Sequence, residues 1–287
     1  MRYGTAIVLL LISTSLSSLN GVFVNSFEGM TDWQIVFWRH LFVGLAMSLG
    51  LMLVYRRRFA GALKSQGWVG LAGAFAFGLS TLFVTMAQHH APVADVMFVL
   101  ASVPFLTALL AWVVLREAIH TITWFGLSGA ATGIIVMVVG NLGSGNMTGT
   151  LLGIGAALMI AAFAVILRWG KAIDMIPMFA LGCFIAAAIA LPFTFNDLWF
   201  DTKHLPLMLV WAAIISPTYY ALFVISSRYI PGGELMLSLA VETIEAAILA
   251  WLILSQVPTQ QTFVGGAIIM ASVGILAYFR IRREHQS

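Results

Sequence analysis

The sequence predicts an all-α membrane protein with ten transmembrane helices in two inverted five-helix repeats. The first observation is composition: the 287 residues are 61% hydrophobic and only 9% charged, whereas about a quarter of the residues in a soluble domain are charged. The second is a series of ten apolar windows, each near the roughly 20 residues that a bilayer crossing requires. The third is an internal repeat that links the two halves of the chain.

The ten windows follow one another with short gaps, so no soluble domain of useful size fits between them. They cover residues 4–24, 33–55, 67–87, 93–115, 122–140, 149–168, 176–195, 206–227, 233–255 and 262–279. The first window resembles a signal peptide, but no small-residue cleavage site follows it, and we interpret it as a retained span. Its polar stripe of Ser13, Ser17 and Asn20 is expected to face protein or water instead of lipid.

The basic residues follow the positive-inside pattern. With a cytoplasmic N-terminus, one set of loops holds twelve of the fourteen Lys and Arg residues. These are Arg2, Arg56, Arg57, Arg58, Lys64, Arg116, Arg168, Lys171, Arg228, Arg280, Arg282 and Arg283. The pattern predicts that both termini are cytoplasmic. It also explains the net charge of +3 without a nucleic-acid partner.

The repeat is visible when the chain is shifted by 139 positions. The segment APVADVMFVLASVPFLTALLAWVVLREAIHTITWFG from Ala91 then aligns without a gap on IPGGELMLSLAVETIEAAILAWLILSQVPTQQTFVG from Ile230. The identical pairs include Pro92 with Pro231, Met97 with Met236, Leu100 with Leu239, Ala111 with Ala250, and Trp112 with Trp251. Because the repeating unit contains five helices, an odd number, the second copy is inverted. We expect repeats at residues 1–145 and 146–287, which is typical of transporters with a midplane substrate site.

Several of these segments together resemble a known family. They are AWVVLREAI, the fourth span around Pro104, FWRHLFVG in the second span, and the glycine-rich fifth and tenth spans. In order and spacing they resemble the EamA-type ten-helix transporters of the drug/metabolite transporter superfamily, over nearly the whole chain. The resemblance implies a carrier of the bacterial inner (plasma) membrane that exports small metabolites, with amino acids, aromatic ones above all, as the favoured substrates. The chain departs from the family pattern at Thr243 and Gln256, where the first copy has Pro104 and Glu117.

Two acidic residues near the centre of the ninth predicted span are the main candidates for a substrate site. An ionised side chain at this depth costs about 2.5–3.5 kcal/mol, and the spacing of Glu242 and Glu245 places both on one helix face. They are therefore expected to face the protein, where they could couple to protons or bind the amino group of a substrate. The structural alternative is hydrogen bonding to Ser80, Thr81 or Gln88 on a neighbouring span.

Other candidates surround this pair. Pro104 and Pro217 lie near the middles of the fourth and eighth predicted spans, where proline either frees a carbonyl for a ligand or only bends the helix. Tyr219 and Tyr220 could offer ring faces to a ligand or face lipid. Gln88, at the outer end of the third span, is also a candidate substrate-binding residue.

Three further residues are assigned mainly structural roles. Arg39 is close enough to the start of the second span to snorkel outward, although it could also bind a substrate carboxylate. His89 and His90 could sense acidity outside the cell, but solvated loop positions are the favoured interpretation.

The sequence disfavours other functional classes. Cys183 is the only cysteine, so a disulfide framework and a Cys-based metal site are excluded. No cofactor or metal ligand set is expected. The GxSG segment that ends at Gly129 would need a histidine base within a neighbouring helix, and the histidines lie at or near the edges of spans, so we do not expect an enzyme. A multidrug or organic-cation carrier and a solute channel remain as alternatives.

The expected partners are a small-molecule substrate, protons and the lipid bilayer. The small-xxx-small spacings at Gly129 and Gly133 and at Gly149 and Gly153 predict close helix packing. Span five could also form a dimer contact, so a monomer and a weak homodimer are both open.

Overall fold

The computed structural model is helical, as predicted. It describes residues 3–56, 67–118, 121–140, 142, 145–169, 175–230 and 232–284. Within these residues the regular structure is entirely helical, and ten helices are long and apolar enough to cross a membrane. The first and last residues of each membrane-crossing helix lie within four residues of the ends of the predicted window. The prediction of an all-α, ten-span membrane protein is therefore confirmed. Arg2, Arg57, Arg58, Lys64, Lys171, His120, Pro231 and His285 lie outside the described residues.

The first five spans include two that are made of two helices. Spans one to five are Tyr3–Ser18 with Asn20–Val24, Asp32–Tyr55, Gly67–His90, Val93–Leu100 with Val103–Leu115, and Thr121–Gly140.

The last five spans include one that changes helix type along its length. Spans six to ten are Met147–Trp169, Met175–Thr194, Thr202–Ser227, Gly232–Leu254 and Gln260–Glu284. Span eight consists of a 3₁₀ turn, an α-helical turn over Leu205–Leu209, a π-helix over Val210–Ile215, and an α-helix over Ser216–Ser227.

Proline explains why span four is broken and its counterpart is not. The second helix of span four begins at Val103, and Pro104 lies in its first turn, where the missing N–H breaks no intrahelical bond. Span nine has Thr243 at the equivalent position and runs as one helix, with Thr243 Oγ1 donating to Leu239 O at 2.9 Å. Pro217 likewise occupies a first turn, directly after the π-helix. Pro104 thus begins a new helical segment, whereas Pro217 directly follows a π-helical stretch within one continuous helical run.

Spans four and nine end in the same way, 139 positions apart. Arg116 and Ser255 both adopt positive φ, 54° and 56°. The next residue then donates its backbone N–H to the carbonyl of Ala111 in one copy, at 3.4 Å, and of Ala250 in the other, at 3.2 Å. This shared turn geometry supports the alignment of the two segments.

A capping box begins span two and joins it to span seven. The side chain of Thr31 accepts from Gln34 N, and the Gln34 side chain accepts from Thr31 N, so two free helix-end donors are satisfied. The Gln34 amide also donates to Asp197 O at 2.7 Å, and Trp38 Nε1 donates to Leu198 O at 2.8 Å. The loop after span seven is therefore held against the start of span two.

Glycines bring two pairs of spans into backbone contact. A Cβ on Gly78 of span three would lie 2.4 Å from the backbone oxygen of Gly182 in span seven. A Cβ on Gly133 of span five would lie 2.6 Å from Gly265 O in span ten. The Gly133 face predicted for packing therefore packs against span ten of the same chain.

We expect Gly78→Ala to destabilise the fold, because the added Cβ collides with a backbone atom that cannot rotate away. Overpacking of this kind costs about 1–3 kcal/mol. Gly50→Ala is the matched control, since a Cβ there meets nothing within 4 Å. Thermal unfolding in detergent should show a lower Tm for Gly78→Ala alone; equal Tm values would contradict the packing.

Candidate substrate site

The two acids of span nine face span one. Ser17 Oγ donates to Glu242 Oε1 at 2.5 Å, and Ser15 Oγ donates to Glu245 Oε1 at 3.1 Å. The expectation that the acids turn toward the protein agrees with this geometry. Their partners are the span-one serines, however, and not the Ser80, Thr81 or Gln88 proposed from the sequence.

Neither acid is neutralised by a basic side chain in the part of the chain that the structure describes. No Lys, Arg or His nitrogen there lies within the 4.0 Å ion-pair distance of Glu242 or Glu245. The second carboxylate oxygen of Glu245 is buried and accepts no hydrogen bond. Glu242 and Glu245 are half-buried, and the contact between Ser15 and Glu245 is exposed. Because a partly buried carboxylate is destabilised without an opposite charge or hydrogen-bond donors, this pair can accept an ammonium group or a proton.

The polar stripe of span one connects span nine to span eight. Ser13 Oγ donates to Tyr219 O at 2.8 Å. The Asn20 side-chain amide donates to Ser17 O at 2.9 Å and lies 3.3 Å from Tyr219 Oη. Ser13 and Asn20 are buried, so the stripe faces protein as its spacing predicted.

Arg39 of span two is buried beside Asn20 of span one, so the interpretation that it snorkels outward is wrong. Its side chain is only 3% exposed. The guanidinium donates to Thr85 Oγ1 on span three and, at 3.1 Å, to Asn20 Oδ1 on span one. Its Cζ lies 4.6 Å from the ring centroid of Trp211 on span eight, a cation–π contact. Side chains from spans one, three and eight thus surround the guanidinium, whereas a residue at the membrane interface would be solvated.

The two tyrosines of span eight continue this site into an aromatic cluster. We define the aromatic cluster as Phe77, Phe163, Phe179 and Tyr220. The Tyr220 ring stacks on Phe179 with centroids 5.3 Å apart and meets Phe77 edge-on at 5.4 Å. Tyr219 lies 4.3 Å from Tyr220 and is 6% exposed, so the lipid-facing alternative is wrong for Tyr219.

The structure does not join the remaining candidates to the two acids. Gln88 is buried, its Nε2 lies 3.6 Å from Met97 Sδ, and its Oε1 has no hydrogen-bond partner. Pro104 belongs to span four, whose second helix it begins, and Pro217 lies two residues before Tyr219. Among the described residues, neither Gln88 nor the prolines form a hydrogen bond with Glu242 or Glu245.

The histidines differ from their predicted settings. His89 Nδ1 and His90 Nε2 each contact one carboxylate oxygen of Asp32, the second at 2.5 Å. They therefore tie the end of span three to the start of span two instead of lying free in a loop. His40 is buried inside span two, 2.7 Å from Val36 O and 3.0 Å from Thr81 Oγ1, so it is not at an edge.

The GxSG serine has no histidine beside it in the described part of the chain. Ser128 is exposed, and its hydroxyl donates to Trp124 O at 3.0 Å within its own helix. The segment therefore shows no nucleophile and base in contact, which general-base activation of a serine would require.

Sequence reasoning missed three residues of the site. Thr85 could have been found, because it follows Thr81 by four positions and therefore shares its helix face. Ser15 lies off the predicted stripe, and Trp211 belongs to a π-helix, whose wider turn changes the residues that share a face. No periodicity of an α-helix would have selected these two.

In the described part of the chain, ten helices are apolar enough to cross a membrane, and buried polar side chains such as Arg39 and Asn20 lie between them, as in a multi-pass membrane protein. A family model described as the EamA-like transporter family matches the chain twice, over residues 4–139 and 147–278. The chain belongs to this transporter family, which confirms that part of the resemblance.

Individual relatives agree with this assignment. The chain is 23% identical over 271 residues to the "Uncharacterized transporter YdfC" of Bacillus subtilis (strain 168), and the match covers 90% of this chain and 86% of that protein. A solved structure, described only as a crystal structure of a protein, has a TM-score of 0.65 at 17% identity, and covers 99% of this chain and 100% of its own. At this identity the second likeness shows the fold alone.

We expect Asn20→Ala to destabilise the protein more than Asn25→Ala. Asn20 Oδ1 accepts from Trp211 Nε1 at 2.9 Å and from Arg39, and each buried donor left without a partner costs about 1–3 kcal/mol. Asn25 is half-buried, and its amide donates only to the backbone oxygens of Gly21 and Gln88. Tm values in detergent measure the difference; an equal loss in both variants would contradict the described network.

Proposed function

We propose that the protein is a secondary transporter that exports small metabolites across the bacterial inner membrane, above all amino acids with aromatic or other hydrophobic side chains, with Glu242 and Glu245 as the amine-binding residues. The observation that carries the proposal is the pair of carboxylates in span nine that have no basic partner among the described residues. An ammonium group supplies both the positive charge and the hydrogen-bond donors that these oxygens lack.

The aromatic cluster supports a hydrophobic or aromatic substrate side chain. The Tyr219 hydroxyl contacts Asn20 of the polar stripe. The Tyr219 ring contacts the ring of Tyr220, which belongs to the aromatic cluster. A side chain bound beside Tyr219 therefore meets apolar ring faces, which favour aromatic and aliphatic groups over charged ones.

The proposed transport mechanism is alternating access, in which the site opens in turn to each side of the membrane as the two halves of the chain move. The proposed halves are residues 1–145 and 146–287, and the separate family matches to 4–139 and 147–278 support this division. The polar site lies between span one of the first half and spans eight and nine of the second. In inverted-repeat carriers the two halves rock around a site of this kind. We further propose cytoplasmic termini and a monomer or weak homodimer as the working unit.

A second candidate is an organic-cation carrier of the same fold. The same observation favours it, because unpaired carboxylates beside aromatic rings also bind hydrophobic cations. The two candidates differ in whether the ligand needs a carboxylate of its own.

We expect Glu242→Gln to reduce transport of phenylalanine by about tenfold or more, since a charged hydrogen bond contributes about 1.5–3 kcal/mol. The assay is counterflow of labelled phenylalanine in proteoliposomes, repeated with leucine. Glu28→Gln, an exposed acid in the loop before span two, is the matched control. Unchanged counterflow in Glu242→Gln, with normal protein levels, would remove this acid from the mechanism.

A further inference from the structure

Arg39 is a buried cation whose contacts are all neutral. Its hydrogen-bond acceptors are Thr85 Oγ1, Asn20 Oδ1 at 3.1 Å and Tyr219 Oη at 3.5 Å. The ring of Trp211 covers one face. In the described part of the chain, no carboxylate lies within ion-pair distance of the guanidinium. A buried guanidinium surrounded only by neutral groups lacks the anion that normally compensates its desolvation.

One edge of the guanidinium is available to a ligand. Arg39 Nε is buried and has no hydrogen-bond partner. Nη2, which shares that edge, donates to Asn20 Oδ1 at 3.1 Å and makes a weaker contact with Tyr219 Oη at the 3.5 Å limit. Parallel N–H groups along one edge are the donors that bind both oxygens of a carboxylate at once. A ligand carboxylate would therefore fill an unmet donor and replace a weak contact.

Arg39 and Glu242 contact span one at positions that are three residues apart. Asn20, which contacts Arg39, is three residues after Ser17, which contacts Glu242. Asn20 also donates to Ser17 O at 2.9 Å, so the two contacts belong to one continuous stretch of span one. A cation-binding and an anion-binding group are thus placed at neighbouring positions, and in an α-amino acid the ammonium and the carboxylate share one carbon.

We propose that Arg39 binds the substrate carboxylate through its Nε and Nη2 edge, so that the transported species is a zwitterion held between Arg39 and the Glu242 and Glu245 pair. This inference rests on the proposed function and selects among its candidates: it favours amino acids over organic cations. Asn20, Thr85 and Trp211 act as positioning residues that hold the guanidinium in place.

The experiment compares amino acids with the same molecules lacking a free carboxylate. In proteoliposomes, the wild type should transport phenylalanine and leucine at least about tenfold more efficiently than phenethylamine and isoamylamine, because two charged hydrogen bonds are lost with the carboxylate. Phenylalaninamide, which keeps the ammonium group, should compete at least about tenfold more weakly than phenylalanine.

Variants of Arg39 should change the preference for phenylalanine over phenethylamine, and not only the transport rate. Arg39→Gln should lose phenylalanine transport while phenethylamine transport is retained or rises, and Arg39→Lys, which keeps the charge but not the two-donor edge, should be intermediate. Glu242→Gln should reduce transport of both compounds. If Arg39→Gln does not fold, the wild-type competition with phenylalaninamide still tests the proposal.

Each outcome separates this inference from the proposed function. Equal transport of amino acids and amines by the wild type, still dependent on Glu242, would overturn the role of Arg39 and leave an amine carrier. Equal loss of both compounds in a folded Arg39→Gln protein would also overturn it, since a purely structural arginine gives that result. Wild-type transport that is independent of Glu242 for every compound would overturn the proposed function itself.

Discussion

The cost of placing charge in hydrocarbon is the constraint on which this structure depends. A bilayer offers no water to an ionised side chain, so every buried charge must turn toward protein. Arg39 comes from span two, and Glu242 and Glu245 come from span nine, yet all three contact span one. These contacts hold the three charged side chains against protein instead of lipid.

Span one suits this role because small polar side chains, among them Ser13 and Asn20, are buried on it. Its serines hydrogen-bond to a backbone carbonyl on one side and to carboxylates on the other. Hydroxyl groups both donate and accept, so the same face can contact an acid, an amide or a ligand. Asn20 begins the helix that follows the break after Ser18, and it contacts Arg39 and Trp211. Irregular helix geometry thus occurs where the chain carries its polar contacts, as it also does in span eight.

The two segments that match the family model use equivalent positions differently. Glu117, after span four, forms an exposed ion pair with Arg168 at 2.7 Å. Gln256, at the equivalent position after span nine, accepts from the backbone N–H of Val93 at 2.9 Å and so caps span four. Span nine is likewise one continuous helix at Thr243, where Pro104 breaks span four. Glu242 and Glu245, on either side of Thr243, both contact span one from this helix.

The sequence by itself determined the ten spans, the inward direction of the span-nine acids and the polar stripe of span one. These are local properties, since hydropathy and helical spacing depend only on residues near in the chain. Only the tertiary structure decided that Ser15 and Ser17 are the partners of the acids, that Arg39 is buried against Trp211, and that His89 and His90 share Asp32. Those contacts depend on how ten helices are rotated and packed against one another, and every apolar span presents several faces that satisfy lipid equally well.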